Sequence, residues 1–192
     1  LLNAFFAAFD DVPPKDCTVV SWLPFYHDMG LIVGVFTPLY TGRSGALMSP
    51  IAFMQKPVRW IQQLAGNPSA FTAAPNFAFD LAAKRSSEDD LAGLDLGGVA
   101  VMINGAERVH GATVRRFQDR FGPLNLPDAA MRPSYGLAEA TVYVLSSPAG
   151  KAATVERFDT AKLAAGHAVA TTDESGTELV GCGAPTTTVV RI

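Results

Sequence analysis

The stretch RPSYGLAEATVYV at residues 132–144 places three residue types that could do chemistry within a few positions of one another. Tyr135 offers a flat aromatic face on which a nucleobase can stack, and Glu139 offers a carboxylate. Gly136 lets the backbone pass close to a ligand or adopt a positive φ. The β-branched and aromatic run at 141–144 predicts a strand, so the stretch is interpreted as a loop that leads into a strand. Taken alone, the short motif YGLAE is also consistent with a tyrosine in the core and a glutamate on the solvated surface, neither with a role in chemistry.

Two further groups of polar residues follow predicted strands. His27 and Asp28 come after the apolar run TVVSWL, and Asn104, Gly105 and Glu107 come after VAVMI. Ligands of open α/β sheets bind beyond the carboxyl ends of parallel strands, so the three groups are expected to converge at one edge. Each group also has a plain structural interpretation, because Asp is a strong N-cap residue and Asn-Gly is a common turn. Together they could bind adenine and ribose and present an oxygen ligand for Mg²⁺.

Composition and motif content exclude several classes of function. The 192 residues carry a formal net charge of −3 without a basic tail or stripe, which argues against nucleic-acid binding. Cys17 and Cys182 lack the spacing of a zinc site or a disulfide framework, so a reducing, cytoplasmic setting is expected. No apolar run approaches the roughly 20 residues that span a bilayer, so no stable membrane insertion is expected. The GxSxG, HExxH, GxGxxG and Walker motifs are absent.

The elements that must hold these residues alternate between strand and helix. Strands are predicted at 18–23, 45–49, 69–73 and 99–103, and helices at 1–9, 29–40, 57–65, 75–85 and 111–121. This alternation predicts a parallel α/β sheet. The sequence after Ser146 is rich in Ala, Thr and Gly. Small antiparallel strands near 154–158 and 178–182 and a short helix near 160–164 are predicted there.

Four segments resemble the adenylate-forming enzymes, and specifically the fatty acyl-AMP ligases of mycobacterial type. They are SWLPFYHDMGL at 21–31, AAPNFAF at 73–79, NGAERV at 104–109 and RPSYGLAEATVYV at 132–144. The resemblance covers nearly the whole chain. This chain has YGLAE where the superfamily usually has YGxTE, so Ala138 replaces a threonine whose hydroxyl could reach a phosphate. The resemblance implies a parallel-sheet α/β subdomain from the N-terminal domain of such an enzyme, with a small β-rich insertion near its C-terminal end.

The resemblance also implies roles for individual residues. Tyr135 is expected to stack on adenine, and Glu139 is expected to bind Mg²⁺ directly or through water. His27 is expected near the acyl carboxylate and the α-phosphate, so His27 and Glu139 are the implied catalytic residues. The other implied nucleotide-binding residues are Asn104, Gly105, Ala106, Glu107, Ser134, Gly136, Leu137 and Ala138. The helices at 29–40 and 75–85 are expected to wall an acyl pocket where small residues leave room for a chain, at Gly30, Gly34, Asn76 and Phe77.

The resemblance divides the chain into three segments. These are an α/β subdomain at 1–147, a ligase-type insertion at 148–178, and the start of a following β-rich subdomain at 179–192. In the family, the insertion is associated with failure to pass the acyl group to CoA. The implied reaction converts a long-chain fatty acid and ATP, with Mg²⁺, to acyl-AMP and pyrophosphate. The implied recipient of the acyl group is an acyl-carrier domain of a polyketide or lipid synthase.

The family's remaining functional parts are expected outside these 192 residues. A phosphate loop with its lysine is expected ahead of residue 1, and a ribose-binding aspartate and a C-terminal domain with a catalytic lysine are expected after residue 192. The two ends are therefore interpreted as interior cuts, and the isolated chain is expected to have at most feeble adenylation activity. Two alternatives stay open: a fatty acyl-CoA ligase, and a non-catalytic acyl- or nucleotide-binding fragment.

Overall fold

A computed structural model describes residues 16–67, 69–140 and 142–184 of the chain. The helix predicted at 1–9 and the strand-like run at 186–192 lie outside the described residues. Within them, a large six-stranded sheet has the order β2-β1-β3-β4-β5-β6, and β7 and β8 form a separate small sheet. The strands are β1 (Thr18–Ser21), β2 (Ser44–Leu47), β3 (Ala70–Pro75), β4 (Val99–Gly105), β5 (Met131–Tyr135), β6 (Leu145–Ser146), β7 (Val155–Phe158) and β8 (Thr177–Val180).

The first five strands of the large sheet run parallel, and only β6 pairs antiparallel, with β5. This arrangement confirms the predicted parallel α/β class. A π-helical segment, Gly30–Phe36, precedes the first α-helix, and two short 3₁₀ helices lie at Gly122–Leu124 and Ala138–Ala140. The α-helices are α1 (Thr37–Thr41), α2 (Pro50–Gln55), α3 (Val58–Ala65), α4 (Asn76–Arg85), α5 (Glu88–Leu91), α6 (Gly111–Phe121) and α7 (Thr160–Ala164).

Helical elements cover both faces of the large sheet. Successive strand residues point to opposite faces of a sheet. One contact on each face shows which helical element covers it. The Thr72 hydroxyl accepts the Trp60 indole N–H at 3.1 Å and donates to the Val20 carbonyl at 2.7 Å, which ties α3 to β3 and β1. On the other face the π-helical segment packs so closely that a Cβ at Gly34 would lie 2.8 Å from Ser21 Oγ.

A cluster of aromatic rings fills the space between the helices and the sheet. Phe117 of α6 is fully buried. Its ring centroid lies 4.5 Å from that of Phe121, 5.1 Å from that of Phe79 and 6.4 Å from that of Trp60. Edge-on and tilted aromatic contacts of this kind add to the stabilisation from burial. The cluster therefore holds α3, α4 and α6 together as one layer.

The run at 29–40 is apolar all round, a pattern that predicts a helix buried on all sides, and that prediction is wrong. Gly30 and Val33 are buried, but Phe36, Leu39 and Tyr40 are exposed. The segment also begins as a π-helix rather than an α-helix. Only the side toward the sheet is covered in the described structure.

The strand predicted at 141–144 is displaced: none of the described residues 142–144 lies in a strand, and a two-residue strand, β6, follows at Leu145–Ser146. The longer strand of this stretch, β5, lies before the loop and was not predicted. Met131–Tyr135 forms β5, and its first residues pair with Met102 and Ile103 of β4. Arg132 is buried in this strand and donates from Nε to the Ser147 carbonyl at 2.9 Å. Tertiary pairing therefore overrides the weak strand propensity of MRPSY.

The predicted features after residue 146 are confirmed. The strands β7 and β8 pair antiparallel, with Val155 opposite Val180, and α7 spans Thr160–Ala164. The Asp159 carboxylate caps α7 by accepting the Lys162 amide at 3.0 Å. The predicted division into segments 1–147, 148–178 and 179–192 stays a prediction. Its second border, between residues 178 and 179, falls within β8. None of the helices among the described residues is long and apolar enough to cross a membrane.

Candidate functional site

A cleft at the carboxyl edge of the large sheet joins the loops that follow β1, β4 and β5. Its empty volume is about 440 Å³, a figure that includes space open to solvent. Its lining consists of His27, Asp28, Met29, Val33, Ile103, Gly105, Ala106, Ser134, Tyr135, Gly136, Val142 and Tyr143. Residues from all three predicted groups therefore meet here, as expected for the carboxyl ends of parallel strands.

His27 stands at the mouth of this cleft beside Asp28. The two side chains lie 2.9 Å apart, between Nδ1 and Oδ1. The Met29 amide donates to the same carboxylate oxygen at 2.8 Å, which fixes Asp28 at the start of the helical segment. The Met29 amide also donates to His27 Nδ1 at 3.1 Å, and a neutral imidazole that accepts at Nδ1 carries its proton on Nε2, where it can donate to a ligand. The structural and functional interpretations of this pair are therefore compatible.

The loop after β4 presents backbone rather than side chains to the cleft. Gly105 and Ala106 line it, and Ala106 has a φ of 63°, a left-handed conformation that is uncommon outside glycine. Asn104 lies beneath them and is fully buried. Its Nδ2 faces Met131 Sδ at 3.9 Å, and its Oδ1 has no hydrogen-bond partner among the described residues. Asn104 thus supports the loop from below.

Glu107 is engaged elsewhere in the structure. Its Oε1 accepts the Phe77 amide at 2.6 Å, at the first turn of α4. Helix N-termini have unpaired amides that favour a carboxylate, so Glu107 caps α4. Its predicted role in nucleotide binding stays a prediction. The observed contact shows that its carboxylate serves to join two loops at the sheet edge.

Tyr135, at the end of β5, separates the first cleft from a second one. This residue is 45% exposed and lines both clefts. The second cleft lies between the loop after β4 and β8, and its lining is Ala106, Glu107, Arg108, Val109, Ser134, Tyr135, Gly136, Leu179, Val180 and Cys182. Ser134 also lines both clefts, but its hydroxyl donates to the Arg132 carbonyl at 3.0 Å and lies 2.9 Å from Ser146 Oγ. Tyr135 therefore offers the available aromatic surface.

Gly136 allows the chain to return across the end of β5. A Cβ at this position would lie 1.6 Å from the Val142 carbonyl oxygen. Two further bonds close the turn: Val142 N donates to Leu137 O at 2.9 Å, and Val144 N donates to Tyr135 O at 3.0 Å. Val142 itself has a φ of 75°, which is strained for a β-branched residue. The close approach at Gly136 is therefore to the chain's own backbone.

Glu139 lies in the Ala138–Ala140 3₁₀ turn and is exposed, as is Ala138. Neither residue belongs to the lining of the two clefts, and Leu137 is half-buried. No group of three or more acidic, histidine or cysteine side chains suited to a metal occurs among the described residues. Mg²⁺ commonly takes one or two protein carboxylates, with waters and nucleotide phosphates as its other ligands. A single exposed carboxylate fits that mode of binding.

The four residues predicted for an acyl pocket lie outside the first cleft's lining. Gly30 and Gly34 are buried against the chain itself, since a Cβ at Gly30 would lie 2.3 Å from the Pro24 carbonyl. The Asn76 Oδ1 accepts the His110 amide at 3.1 Å, which connects α4 to α6. Phe77 is half-exposed and packs edge-on against Trp22. Both glycines thus permit close packing within the chain, and the role of all four residues in an acyl pocket stays a prediction.

The apolar floor of the first cleft was not predicted. It is formed by Met29, Val33, Ile103 and Tyr143. Met29 and Val33 are four positions apart, so helical spacing could have placed them on one face. Burial raises the pKa of the Tyr143 phenol, and the charge of Arg132 partly offsets this. Nothing in the local sequence places Tyr143 in the cleft, because it arrives there through the turn at Gly136.

Comparison with known proteins gives a consistent result. A family model described as AMP-binding enzyme matches residues 1–191. Over 192 residues, all of this chain, the sequence is 51% identical to the "Putative fatty-acid--CoA ligase fadD25" of Mycobacterium tuberculosis and covers 33% of that protein. Over 181 residues, 93% of this chain, it is 54% identical to the long-chain-fatty-acid--AMP ligase FadD26 of Mycobacterium marinum and covers 31% of it.

A solved structure shares the fold. The crystal structure of the fatty acyl-adenylate ligase from L. pneumophila, in complex with acyl adenylate and pyrophosphate, matches with a TM-score of 0.87 at 34% identity. The match covers 96% of this chain and 32% of that one. The chain thus spans about a third of the length of the relatives it matches.

Proposed function

This chain belongs to the AMP-binding enzyme family, and from that premise we propose that the full-length protein carrying it activates a long-chain fatty acid with ATP. An oxygen of the fatty acid carboxylate attacks the α-phosphorus of ATP, and the bond from that phosphorus to the bridging oxygen of the β-phosphate breaks. The products are acyl-AMP and pyrophosphate. The names of the relatives and the acyl adenylate in the matched crystal structure support this reaction.

The observation that carries the proposal is the meeting of His27, Ala106 and Tyr135 in one cleft. An exposed ring at the end of β5 offers a stacking surface for adenine. The backbone at Gly105 and Ala106 offers a flat second wall. A ligand held between them would direct its ribose and phosphates along the sheet edge, where the His27 Nε2 atom can donate a hydrogen bond to an anionic oxygen. Positioning and charge stabilisation of this kind dominate reactions at phosphorus.

Glu139 is proposed as the carboxylate that holds Mg²⁺ together with the nucleotide phosphates. When bound, the ion offsets negative charge on the phosphate oxygens. The exposed position of Glu139 suits a ligand that must reach outward to a bound nucleotide. Gly105, Ser134, Gly136, Leu137 and Ala138 are proposed to contribute backbone around the adenine.

The proposal also covers where the acyl substrate binds and which protein receives the acyl group. The apolar floor of the cleft suits a hydrocarbon chain, and Gly30, Gly34, Asn76 and Phe77 are retained as the proposed wall of an acyl pocket beyond it. The acyl group is proposed to pass to an acyl-carrier domain of a polyketide or lipid synthase. The free thiols of Cys17 and Cys182 are compatible with the reducing cytoplasm as the compartment.

The test uses the full-length protein with ATP, Mg²⁺ and fatty acids of graded chain length, and it detects acyl-AMP by mass spectrometry and pyrophosphate by a coupled assay. Removal of the ring in Tyr135→Ala should raise KM for ATP about ten- to a hundredfold, since base stacking on an aromatic ring is worth about 1–3 kcal/mol. Tyr135→Phe is the matched control and should stay near wild type. Absence of acyl-AMP with every fatty acid would refute the proposal.

A second variant examines the proposed metal ligand. Glu139→Gln should lower the rate of acyl-AMP formation at limiting Mg²⁺ while the fold, monitored by circular dichroism, is retained. Glu156→Gln makes the same change on β7, at a residue remote from the proposed ligand, and should leave the rate unchanged. An unaffected rate in Glu139→Gln would return Glu139 to an ordinary surface role.

A fatty acyl-CoA ligase is the second candidate, and the name of fadD25 favours it. The two candidates share the first half-reaction and differ in the acceptor. Supplying CoA or a phosphopantetheine-bearing acyl-carrier domain to the same reaction decides between them. Acyl-CoA as the main product would favour the CoA ligase, and acyl transfer to the carrier domain alone would favour the AMP ligase.

A further inference from the structure

The loop at residues 105–109 forms a wall of both clefts and holds a strained conformation. Ala106, which faces both clefts, has a φ of 63°. A non-glycine residue persists in the left-handed region only where surrounding contacts determine its conformation. The contacts that hold this loop therefore decide the shape of the proposed nucleotide site.

Two contacts hold the loop on the side of the large sheet. The Glu107 carboxylate accepts the Phe77 amide of α4 at 2.6 Å. The amide of His110, just after the loop, donates to Asn76 Oδ1 at 3.1 Å. Both partners lie at the N-terminus of α4, which the buried core fixes in place.

The opposite contact comes from the small sheet. Arg108 Nη2 donates to the backbone carbonyl of Glu178, in β8, at 3.1 Å. The side chain of Glu178 in turn pairs with two more guanidinium groups: Oε2 lies 2.8 Å from Arg115 of α6, and Oε1 lies 2.8 Å from Arg157 of β7. Three arginines thus converge on one residue of the small sheet.

The junction between α6 and the small sheet is shaped for this contact. A Cβ at Gly111, the first residue of α6, would lie 2.8 Å from Val155 Cγ1 and 3.0 Å from Glu178 Oε2. Only a residue without a side chain lets the small sheet approach α6 this closely. Charge-assisted hydrogen bonds of this length are shorter and stronger than neutral ones.

We propose that the small sheet is a positioning element for the nucleotide-binding loop, and that Glu178 is its positioning residue. By clamping β8 to Arg115 and Arg157, Glu178 holds its own carbonyl against Arg108 and keeps Ala106 facing Tyr135. Glu178 belongs to the lining of neither cleft, so it acts through the loop and not on a ligand. The effect on ATP rests on the proposed function, whereas the effect on the loop does not.

The decisive variant is Glu178→Gln in the full-length protein, which removes the charge and keeps the shape and the backbone carbonyl. Glu156→Gln is the matched control, because Glu156 lies on the same small sheet and is exposed. We expect Glu178→Gln to raise KM for ATP about three- to tenfold, the effect of weakening two partly exposed charge-assisted contacts. The kcat and the KM for the fatty acid should stay within about twofold, because neither depends directly on this loop.

Hydrogen–deuterium exchange supplies a readout that needs no activity. Without substrates, the amides at 106–109 should exchange faster in Glu178→Gln than in Glu156→Gln, while the amides of β4 stay protected in both. Equal exchange at 106–109 in the two variants overturns the positioning role. If the wild-type protein makes no acyl-AMP, the proposed function fails, but the exchange comparison still decides the role of Glu178.

A third variant covers the case in which Glu178→Gln does not fold. Arg115→Lys retains the positive charge but replaces the planar guanidinium, whose Nη2 bonds Glu178 Oε2, with a shorter-reaching ammonium. It should increase exchange at 106–109 by less than Glu178→Gln and raise KM for ATP less than threefold. Unchanged exchange and KM in a folded Arg115→Lys, with Glu178→Gln unable to fold, would overturn the proposal.

Discussion

The large sheet and the small sheet both border the second cleft, but different forces hold them in place. Strand β4 lies within a buried apolar core that includes Val101 and Met102. The described residues of the small sheet include no fully buried side chain, and its observed ties to the rest of the molecule centre on Glu178. One wall is thus set by burial and the other by charge.

This difference predicts how each wall responds to conditions. Apolar burial depends little on salt or on mild changes of pH, because it involves no titrating group. Ion pairs near the surface weaken as salt shortens the screening length to about 10 Å or less. As the salt concentration rises, the small sheet is therefore expected to detach from the site at a lower concentration than the one that disturbs the large sheet.

The largest expected effect is on the core. Phe117→Ala should lower the free energy of unfolding by about 3–5 kcal/mol, the usual cost of emptying a buried aromatic position. Phe158→Ala in β7 should cost about 1 kcal/mol, because Phe158 is only half-buried. Urea denaturation monitored by circular dichroism measures both. Equal losses of unfolding free energy in the two variants would show that the small sheet also depends on apolar packing.

The next largest effect is expected at Gly136, where the large sheet supplies Tyr135 to the site. Gly136→Ala should displace the Val142 carbonyl and cost about 1–3 kcal/mol of stability. Acyl-AMP formation should fall about a hundredfold, since an ångström of misplacement has effects of that size. Gly45→Ala is the control, because a Cβ there meets Pro38 Cγ at an ordinary 3.5 Å. Near-normal activity in Gly136→Ala would show that the turn is adaptable.

A smaller effect is expected from pH on the small sheet. Hydrogen bonds from Arg115 and Arg157 lower the pKa of Glu178. A carboxyl whose folded pKa is lowered contributes stability that is complete above its unfolded pKa, about 4.3, and is lost as pH falls through the folded value. Amide NMR signals of β7 should therefore be unchanged from pH 7 to about 5 and shift below about pH 4. Shifts above pH 5 would contradict this sign.

The smallest effect is expected from the ion pairs between α4 and α6, two helices that apolar burial already holds against the large sheet. Asp80 of α4 pairs with Arg116 of α6 and with Lys84, the latter at 2.6 Å. Burial acts to raise the pKa of Asp80, but the bonds and charges of Lys84 and Arg116 outweigh it and lower the pKa. Asp80→Asn should cost about 0.5–1 kcal/mol, as for other exposed pairs. A loss above about 2 kcal/mol, measured by urea denaturation, would show that charge matters on this side too.

Much of the fold follows from local sequence because local propensity and burial agree there. The helix predicted at 111–121 has the observed bounds, since Phe117 and Phe121 lie on one face and charged residues lie mostly on the others. The helix Pro50–Gln55 was missed although a signal exists. Ser49 followed by Pro50 is a typical helix start, and Ser49 Oγ accepts the Ala52 amide at 3.1 Å.

The site was predictable in its location and less so in the task of each residue. The carboxyl ends of parallel strands share one edge of the sheet whatever the strand order, and this places His27 and Gly105, which follow or end predicted strands, at that edge. Tyr135 reaches the same edge at the end of β5, a strand that the sequence did not predict. The rule for parallel strands could not show that Glu107 bonds the Phe77 amide, because that pairing depends on how two loops approach in space. The strand at Met131–Tyr135 was missed for the same reason, since its pairing with β4 outweighs its local propensity.

The strand order has a consequence for folding. The cleft needs the loop after β1 and the loop after β5, which are far apart in the chain and are separated in the sheet by β3 and β4. Pairing of parallel strands requires the closure of a long loop, and the entropy of that closure is lost before the strand contacts stabilise the pair. Such sheets therefore form slowly. The cleft can therefore assemble only after most of the sheet has formed. During synthesis, the half-built sheet carries the open edge of β4 until β5 emerges, and chaperones would be expected to act in that interval.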